Sequence, residues 1–219
     1  MTTTAGDSSR TGDVLAAIRD AIIQGEFAPN QRLVEADLSE RFGAGRSGVR
    51  AALFELANEG LVERVQNRGA RVRAVTLDEA IEISEVRMAV EGLCAAKAAE
   101  HITDEEITEL RALGTAMRTA VAAGHVLRYS ELNQTLHLRV RQISRQSAAA
   151  GVLERLRAQN VRHQFRLALV PGRPEVSLAE HLAIIDEICA RAPEAAERAA
   201  RRHLQSVIAA LKSGATRGS

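Results

Sequence analysis

The stretch EADLSERFGAGRSGVRAALFELANEGLVERVQNRGARVR, residues 35–73, decides how the rest of the chain is read. It opens with a short helical segment, residues 34–42, that puts Leu38 and Phe42 four apart on one face. Gly43 and Gly45 break that segment into a turn, because glycine enters left-handed backbone without a steric penalty. Helical period resumes at Arg46 and runs to Asn58, with Val49, Ala52, Leu53 and Leu56 in one apolar stripe and Gly60 placed to end it as a C-cap. The β-branched runs 61–66 and 70–75 flank Asn67, Arg68 and Gly69, which predicts a two-stranded hairpin with a glycine-containing turn.

Charge in this stretch points to nucleic acid. Between residues 41 and 73 seven arginines stand against three glutamates, a local excess of +4 in a chain whose net charge is only +1. Arg46 and Arg50 lie four apart at the start of the second helix, beside its apolar stripe, with Ser47 between them. The first residues of a recognition helix are the ones that reach base edges in the major groove, and arginine there pairs bidentately with guanine. Arg64, Arg68, Arg71 and Arg73 decorate the ribbon, where they would meet phosphates. The plainer alternative is a small helical domain with a solvated arginine face.

These residues resemble the winged helix-turn-helix of the GntR family of bacterial transcriptional regulators. The likeness runs over about sixty residues and rests on Ile18, Ile22, Gly25, Pro29, Leu33, Glu35, Leu38, Phe42, Arg46, Val49, Arg50, Ala52, Leu53, Leu56, Gly60, Leu61, Arg68, Gly69 and Val72. Gly45, Gly48 and Ala51 stand where the family has Ser, Pro and Glu. Gly45 therefore offers no side chain to cap the second helix. The resemblance implies a regulator that binds a double-stranded operator through Arg46, Ser47, Arg50, Arg68 and the Gly69 backbone. It also implies a homodimer, and two-fold pairing predicts an inverted repeat as operator.

Composition narrows the alternatives. The 219 residues suit two modest domains, with 46% apolar and 26% charged residues as in ordinary globular proteins. Aromatics make up 2% and there is no Trp, which argues against a stacking platform for single strands or RNA. Cys94 and Cys189 form no framework and no metal-binding pair, as expected of buried thiols in a reducing compartment. The polar start carries no secretory signal and no apolar run reaches the ~20 residues a membrane helix needs. A cytoplasmic protein with no membrane partner is expected.

The expected order is a disordered tail over 1–10, the winged domain over 11–75, a helical domain over 76–213 and a tail over 214–219. A first helix should start from a cap at Thr11 or Asp13. After Thr76 the periodicity predicts helices near 77–100, 103–122, 126–144, 147–169, 176–190 and 193–213. Thr103 with Glu106 three residues on is a capping-box signal. The fold class is mainly α: a winged unit with a small β ribbon, then an antiparallel bundle of about six helices.

The informative residues of the bundle are histidines on apolar faces. Asn133 and His137 share a stripe with Leu136, Val140 and Ile143; His181 lies with Leu178, Ile185 and Ile188; His203 lies with Ala196, Ala199, Ala200 and Val207. One such histidine is most often a satisfied core residue. Three on separate helices ask for a shared partner, and a divalent metal would satisfy all of them. His163 also falls on an inward side, and periodicity alone does not choose among the inward histidines. Arg87 lies within the stripe Ile83, Val86, Val90 and Cys94, and a buried guanidinium needs an anion, either Glu91 one turn on or a small carboxylate.

This half is similar to the FCD effector domain of the FadR subfamily of GntR regulators, through Arg87, Glu91, the run from Asn133 to His137, Glu180 with His181, and His203. The resemblance implies Asn133, His137, His181 and His203 as metal ligands, with Asn in the place of the family's Asp. It places Arg87 at a small carboxylate effector and makes His163 a neighbour of that site. Three imidazoles suit Zn or Ni. The expected function is a ligand-responsive regulator, a repressor, and not an enzyme. The competing readings are a metal-dependent hydrolase using the three histidines and an effector-independent DNA-binding protein. No inward carboxylate recurs near the histidines as an obvious general base, which weighs against hydrolysis.

Overall fold

The computed structural model describes residues 5–65 and 69–215. Contacts divide the chain into two units: the residues up to Thr76 with Arg157–Arg162, and Leu77–Leu156 with the residues from His163 onward.

The first unit begins with α1 (Ala5–Ile23). Its start lies ahead of the expected caps, so the tail expected over 1–10 is helical from residue 5. Extending a formed helix by a turn costs far less than nucleating one. A two-residue strand β1 (Arg32–Leu33) follows, then α2 (Glu35–Phe42), α3 (Arg46–Asn58), β2 (Val62–Val65) and β3 (Gly69–Val72). Ile18 and Ile22 of α1, Leu38 of α2, and Val49, Leu53 and Leu56 of α3 close one core over the sheet. α2 stops at Gly43, which is left-handed at φ 61°. α3 has Gly45 as its N-cap with no side-chain cap bond, as the missing serine implied. It ends in a double closure: the Gly60 N–H donates to Ala57 O at 3.1 Å and the Leu61 N–H to Leu56 O at 3.0 Å. Gly60 supplies the positive φ that this closure needs.

The expected two-stranded ribbon is a three-stranded antiparallel sheet in the order β1-β3-β2. Val62 pairs with Val72 and Val65 with Gly69, while Leu33 pairs with Ala70 on the other side. Two residues cannot display a period, so β1 leaves no pattern to read. It does explain Gly69. That residue has φ 86°, and a Cβ on it would lie 2.7 Å from the Leu33 carbonyl oxygen.

The second unit holds α4 (Leu77–His101), α5 (Asp104–Ala122), α6 (Val126–Ile143), α7 (Ser147–Ala168) apart from its stretch 157–162, α8 (Arg173–Cys189) and α9 (Pro193–Ala215). α4 packs chiefly on α9 and α6, and α8 bridges α5 and α9. Leu110, Met117, Leu136, Ile143, Ile185 and Ile188 are its fully buried centre. Gly114 lets α5 approach α8: a Cβ there would sit 3.1 Å from Leu182 Cδ2. The capping box at α5 is complete, with the Thr103 N–H donating to Glu106 Oε2 at 3.0 Å and the Glu106 N–H donating to Thr103 Oγ1 at 3.2 Å.

Two expectations change here. α8 starts at Arg173, three residues early, because Pro174 sits in its first turn, where a missing N–H costs nothing. On α4, Ile83, Arg87 and Cys94 are buried as expected, but Val86 is 50% exposed. The inward stripe runs through Ile83, Arg87, Glu91, Cys94 and Ala98, and Val86 falls off its edge. Among the described residues no helix is long and apolar enough to cross a membrane.

Candidate DNA interface and metal centre

In the first unit, Arg46, Ser47 and Arg50 are all exposed in the opening turns of α3. α3 takes this orientation because its apolar stripe faces α1, which turns the other side outward. Arg50 is held by Glu35, a residue of the motif to which no role was given. Its Nε donates to Glu35 Oε1 at 3.0 Å and its Nη2 to Glu35 Oε2 at 2.7 Å. The Arg50 guanidinium, by that hydrogen bond, keeps the Glu35 carboxyl below its usual range. Arg68 lies outside the described residues. Gly69 is placed in β3 at the sheet crossing described above.

The local charge excess is smaller than the count between residues 41 and 73 suggested. Arg41 pairs with Glu26 and Arg50 with Glu35, and both acids lie upstream of that window. Arg71 pairs with Glu63 at 2.8 Å within the sheet. Arg64 lies over the ring of the exposed Phe54, 5.7 Å from its centroid.

The bundle brings three of the inward histidines together. His137 on α6, His181 on α8 and His203 on α9 place one ring nitrogen each within 4.8 Å of the others. Nitrogens sharing one ion at about 2.1 Å stand no more than about 4.2 Å apart, so small side-chain movements close the set. The ring centroids are 4.4 to 5.6 Å apart. In each ring Nδ1 is engaged by the protein. His137 Nδ1 is 3.1 Å from Glu91 Oε2, His203 Nδ1 is 2.8 Å from Glu180 Oε2, and His181 Nδ1 is 3.0 Å from the Tyr129 hydroxyl. Carboxylates only accept, so Nδ1 of His137 and of His203 carries the proton. Nε2 is then the nitrogen that each can give to an ion, the arrangement in which outer carboxylates orient metal-ligating imidazoles.

Asn133 lies one turn before His137 on α6. Its Oδ1 is buried without a hydrogen-bond partner among the described residues. The three imidazole nitrogens are a donor set that fits a borderline dication. His163 is half-buried on α7 and is not one of the three clustered histidines.

Two carboxylates, Glu91 and Glu180, stand beside the histidines. Both are drawn in by buried arginines. Arg87, 3% exposed, donates from Nε to Glu91 Oε1 at 2.8 Å and approaches the same oxygen with Nη2 at 2.7 Å. Its Nη1 is buried with no hydrogen-bond partner among the described residues. Arg173 donates from Nη2 to Glu180 Oε2 at 3.2 Å and from Nη1 to Ser206 Oγ at 2.7 Å. Burial pushes the Glu180 carboxyl up, but hydrogen bonds from His203 and Ser206, with the charges of His203 and Arg173, outweigh it and leave it below its usual range. Burial pushes the Tyr129 phenol well up. Each glutamate is engaged by one imidazole and one buried arginine.

Tyr129 and Arg173 were missed by reading for ligands alone, and Glu180 was quoted beside His181 without a role. Tyr129 carried a signal, since 129, 133 and 137 recur every four residues on one face of α6. Glu180 precedes His181 directly. Arg173 sits next to a proline in an apparent break and carried none.

Comparison with known proteins bears on both halves. Residues 10–72 match the bacterial regulatory proteins of the gntR family, and residues 82–206 match the FCD domain. The HTH-type transcriptional repressor RspR of Escherichia coli (strain K12) is 29% identical over 89% of this chain and 86% of its own length. The HTH-type transcriptional regulator YdhC of Bacillus subtilis (strain 168) is 26% identical over 89% of this chain and 88% of its own. Among solved structures, E. coli McbR/YncC superposes with a TM-score of 0.79 over 98% of this chain and 99% of its own, at 20% identity.

Proposed function

The chain belongs to the GntR family of bacterial regulatory proteins and carries an FCD domain, so it is a DNA-binding transcriptional regulator and not an enzyme; from that premise we propose a repressor whose helical unit binds a divalent metal and a small carboxylate effector. His137, His181 and His203 hold the ion through Nε2, with Zn or Ni favoured by the imidazole set. Asn133 Oδ1 adds a neutral oxygen, which gives the site one negative charge less than an aspartate would and weakens its hold on a dication. A bound ion would supply a position for an effector carboxylate, and Arg87 Nη1 would pair with that carboxylate. His163 is a neighbour of this site on α7. The protein is read as cytoplasmic, and as a homodimer on an inverted-repeat operator, with Arg46, Ser47 and Arg50 at base edges and Arg68 and Gly69 on the wing side.

One observation carries the effector reading. In a bundle with three gathered histidines, Asn133 Oδ1 and Arg87 Nη1 are buried without hydrogen-bond partners among the described residues. Buried polar atoms in that condition are costly, and an ion with a carboxylate would relieve both. The repressor assignment follows the similarity to RspR. Elemental analysis with native mass spectrometry of the purified chain tests the site. About one ion per chain is expected after resupply with Zn or Ni, and none in the combined His181→Ala, His203→Ala variant. Far less than one ion in the resupplied wild type would overturn the metal reading.

A further inference from the structure

The charges around the gathered histidines fall into pairs, with one cation left over. Arg87 closes on Glu91 and Arg173 on Glu180, each guanidinium matched by one carboxylate. Arg141 on α6 is half-buried. No ion pair or hydrogen bond to its guanidinium occurs among the described residues, and its Nη1 is buried. On the neighbouring α4, Glu91 is already held by Arg87 and His137, and Glu100 by Lys97 at 2.7 Å. A guanidinium stays charged at any ordinary pH, and charge taken from water without a counter-charge is costly. An anion from outside the chain would answer it.

Arg141 lies one turn beyond His137, so its side chain leaves α6 on the histidine's face. α4 and α6 run the same way: His137 meets Glu91, and further along His101 Nδ1 meets the Ser144 carbonyl oxygen at 3.3 Å. Arg141 falls between those two contacts. Its charge reaches Cys94, one turn after Glu91 on α4: burial chiefly pushes that thiol up, and the charges of Glu91 and Arg141 pull it opposite ways. Arg87 and Asn133 stand one turn before the contact of Glu91 with His137, and Arg141 one turn after it. Arg87 Nη1, Asn133 Oδ1 and Arg141 Nη1 are each buried without a hydrogen-bond partner among the described residues. About two turns, roughly 11 Å, separate the backbone levels of the two arginines, a span within the combined reach of their side chains. With both arginine–glutamate pairs neutral and Asn133 uncharged, Arg141 leaves an excess of one positive charge, and a dication would add two more. Two carboxylates offset that excess better than one.

We propose that the effector of this site is a dicarboxylate, with one carboxylate at the ion and Arg87 and the other at Arg141. The inference rests on the metal-and-carboxylate reading above and narrows its ligand class. Arg141 meets only the second carboxylate, so it decides between diacids and monoacids of equal length without altering the hold on the first.

Isothermal titration calorimetry of the zinc-loaded full chain tests it, with straight-chain acids in pairs of equal length: propionate and malonate, butyrate and succinate, pentanoate and glutarate, hexanoate and adipate. In at least one pair the diacid binds at least about tenfold tighter than its monoacid, the scale of one charge-assisted bidentate contact. Arg141→Met, which keeps the length and apolar stem of the side chain, brings that diacid to within a few fold of its monoacid and leaves the monoacid unchanged. The ligand-free variant melts no lower than wild type, because the guanidinium it loses has no partner in the chain. A clearly lower midpoint would give Arg141 a structural duty and overturn its place at the ligand. A chain that takes up no zinc, or takes it up and binds no acid of either kind, would remove the underlying metal-and-carboxylate reading. Diacids and monoacids bound equally at every length, with Arg141→Met changing neither, would leave that reading standing and overturn the dicarboxylate. A diacid preference that survives in Arg141→Met would overturn the role of Arg141.

Discussion

Arg50, proposed above for a base edge, is already committed to Glu35 through its Nε and Nη2 hydrogen bonds. DNA must displace or share that partner, so the glutamate helps set which way the guanidinium points. Arg50→Ala should cost the discrimination of one bidentate base contact, about 1–3 kcal/mol, while leaving weak binding that is steeply salt-dependent. Fluorescence anisotropy with operator and scrambled duplexes at two salt concentrations reads both effects, and equal preference for the operator in the variant would sink the docking. The pairing also has a pH signature. The folded Glu35 carboxyl lies below its ordinary value of 4.5, so the pair is complete above that value and is lost as pH falls through the folded one. Through neutral pH it is constant. The Arg50 Nε–H signal in NMR should shift only on the acid side of 4.5, and in Glu35→Gln that shift should vanish.

At the scale of elements, what could be read was periodic and what could not was short or local. The stripe Val49, Ala52, Leu53 and Leu56 specified α3, and the Thr103–Glu106 pair specified the start of α5, because both signals repeat a helical spacing. β1 has only two residues and α8 hides its first turn behind Pro174, so neither offers a period. The α4 stripe was drawn too wide because Val86 and Val90 are as apolar as Ile83, and only the packing partner distinguishes the two faces. β1 gives Gly69 a structural duty beside its proposed place on the wing. Gly69→Ala combines a positive φ with a Cβ 2.7 Å from the Leu33 carbonyl oxygen, a strain of about 1–3 kcal/mol. It should lower the unfolding midpoint and weaken DNA binding, both measurable on one preparation. An unchanged midpoint would mean that β1 can part from β3 without cost.

For the whole molecule, the candidate site was legible as three histidines but not as a network. Periodicity places residues on faces; it does not say that Glu91 and Glu180 enter with their arginines to hold the imidazoles. If an ion binds the folded chain, it must also stabilise it. At a free concentration about one hundred times the dissociation constant, the gain is about 2.7 kcal/mol. Zn or Ni should therefore raise the melting midpoint of the wild type, and a chelator should return it. The combined His181→Ala, His203→Ala variant should ignore both while its winged unit still binds DNA. A variant that responds like wild type would locate the ion elsewhere. The hydrogen bond between Tyr129 and His181 has an optical consequence. The chain contains one tyrosine and no tryptophan, so its near-ultraviolet emission comes from a single phenol, and that phenol rests against one of the three histidines. The protein carries its own lamp at this corner of the bundle: a paramagnetic ion arriving there would dim the intrinsic emission, a closed-shell ion would alter it without that quenching, and no dye need be attached.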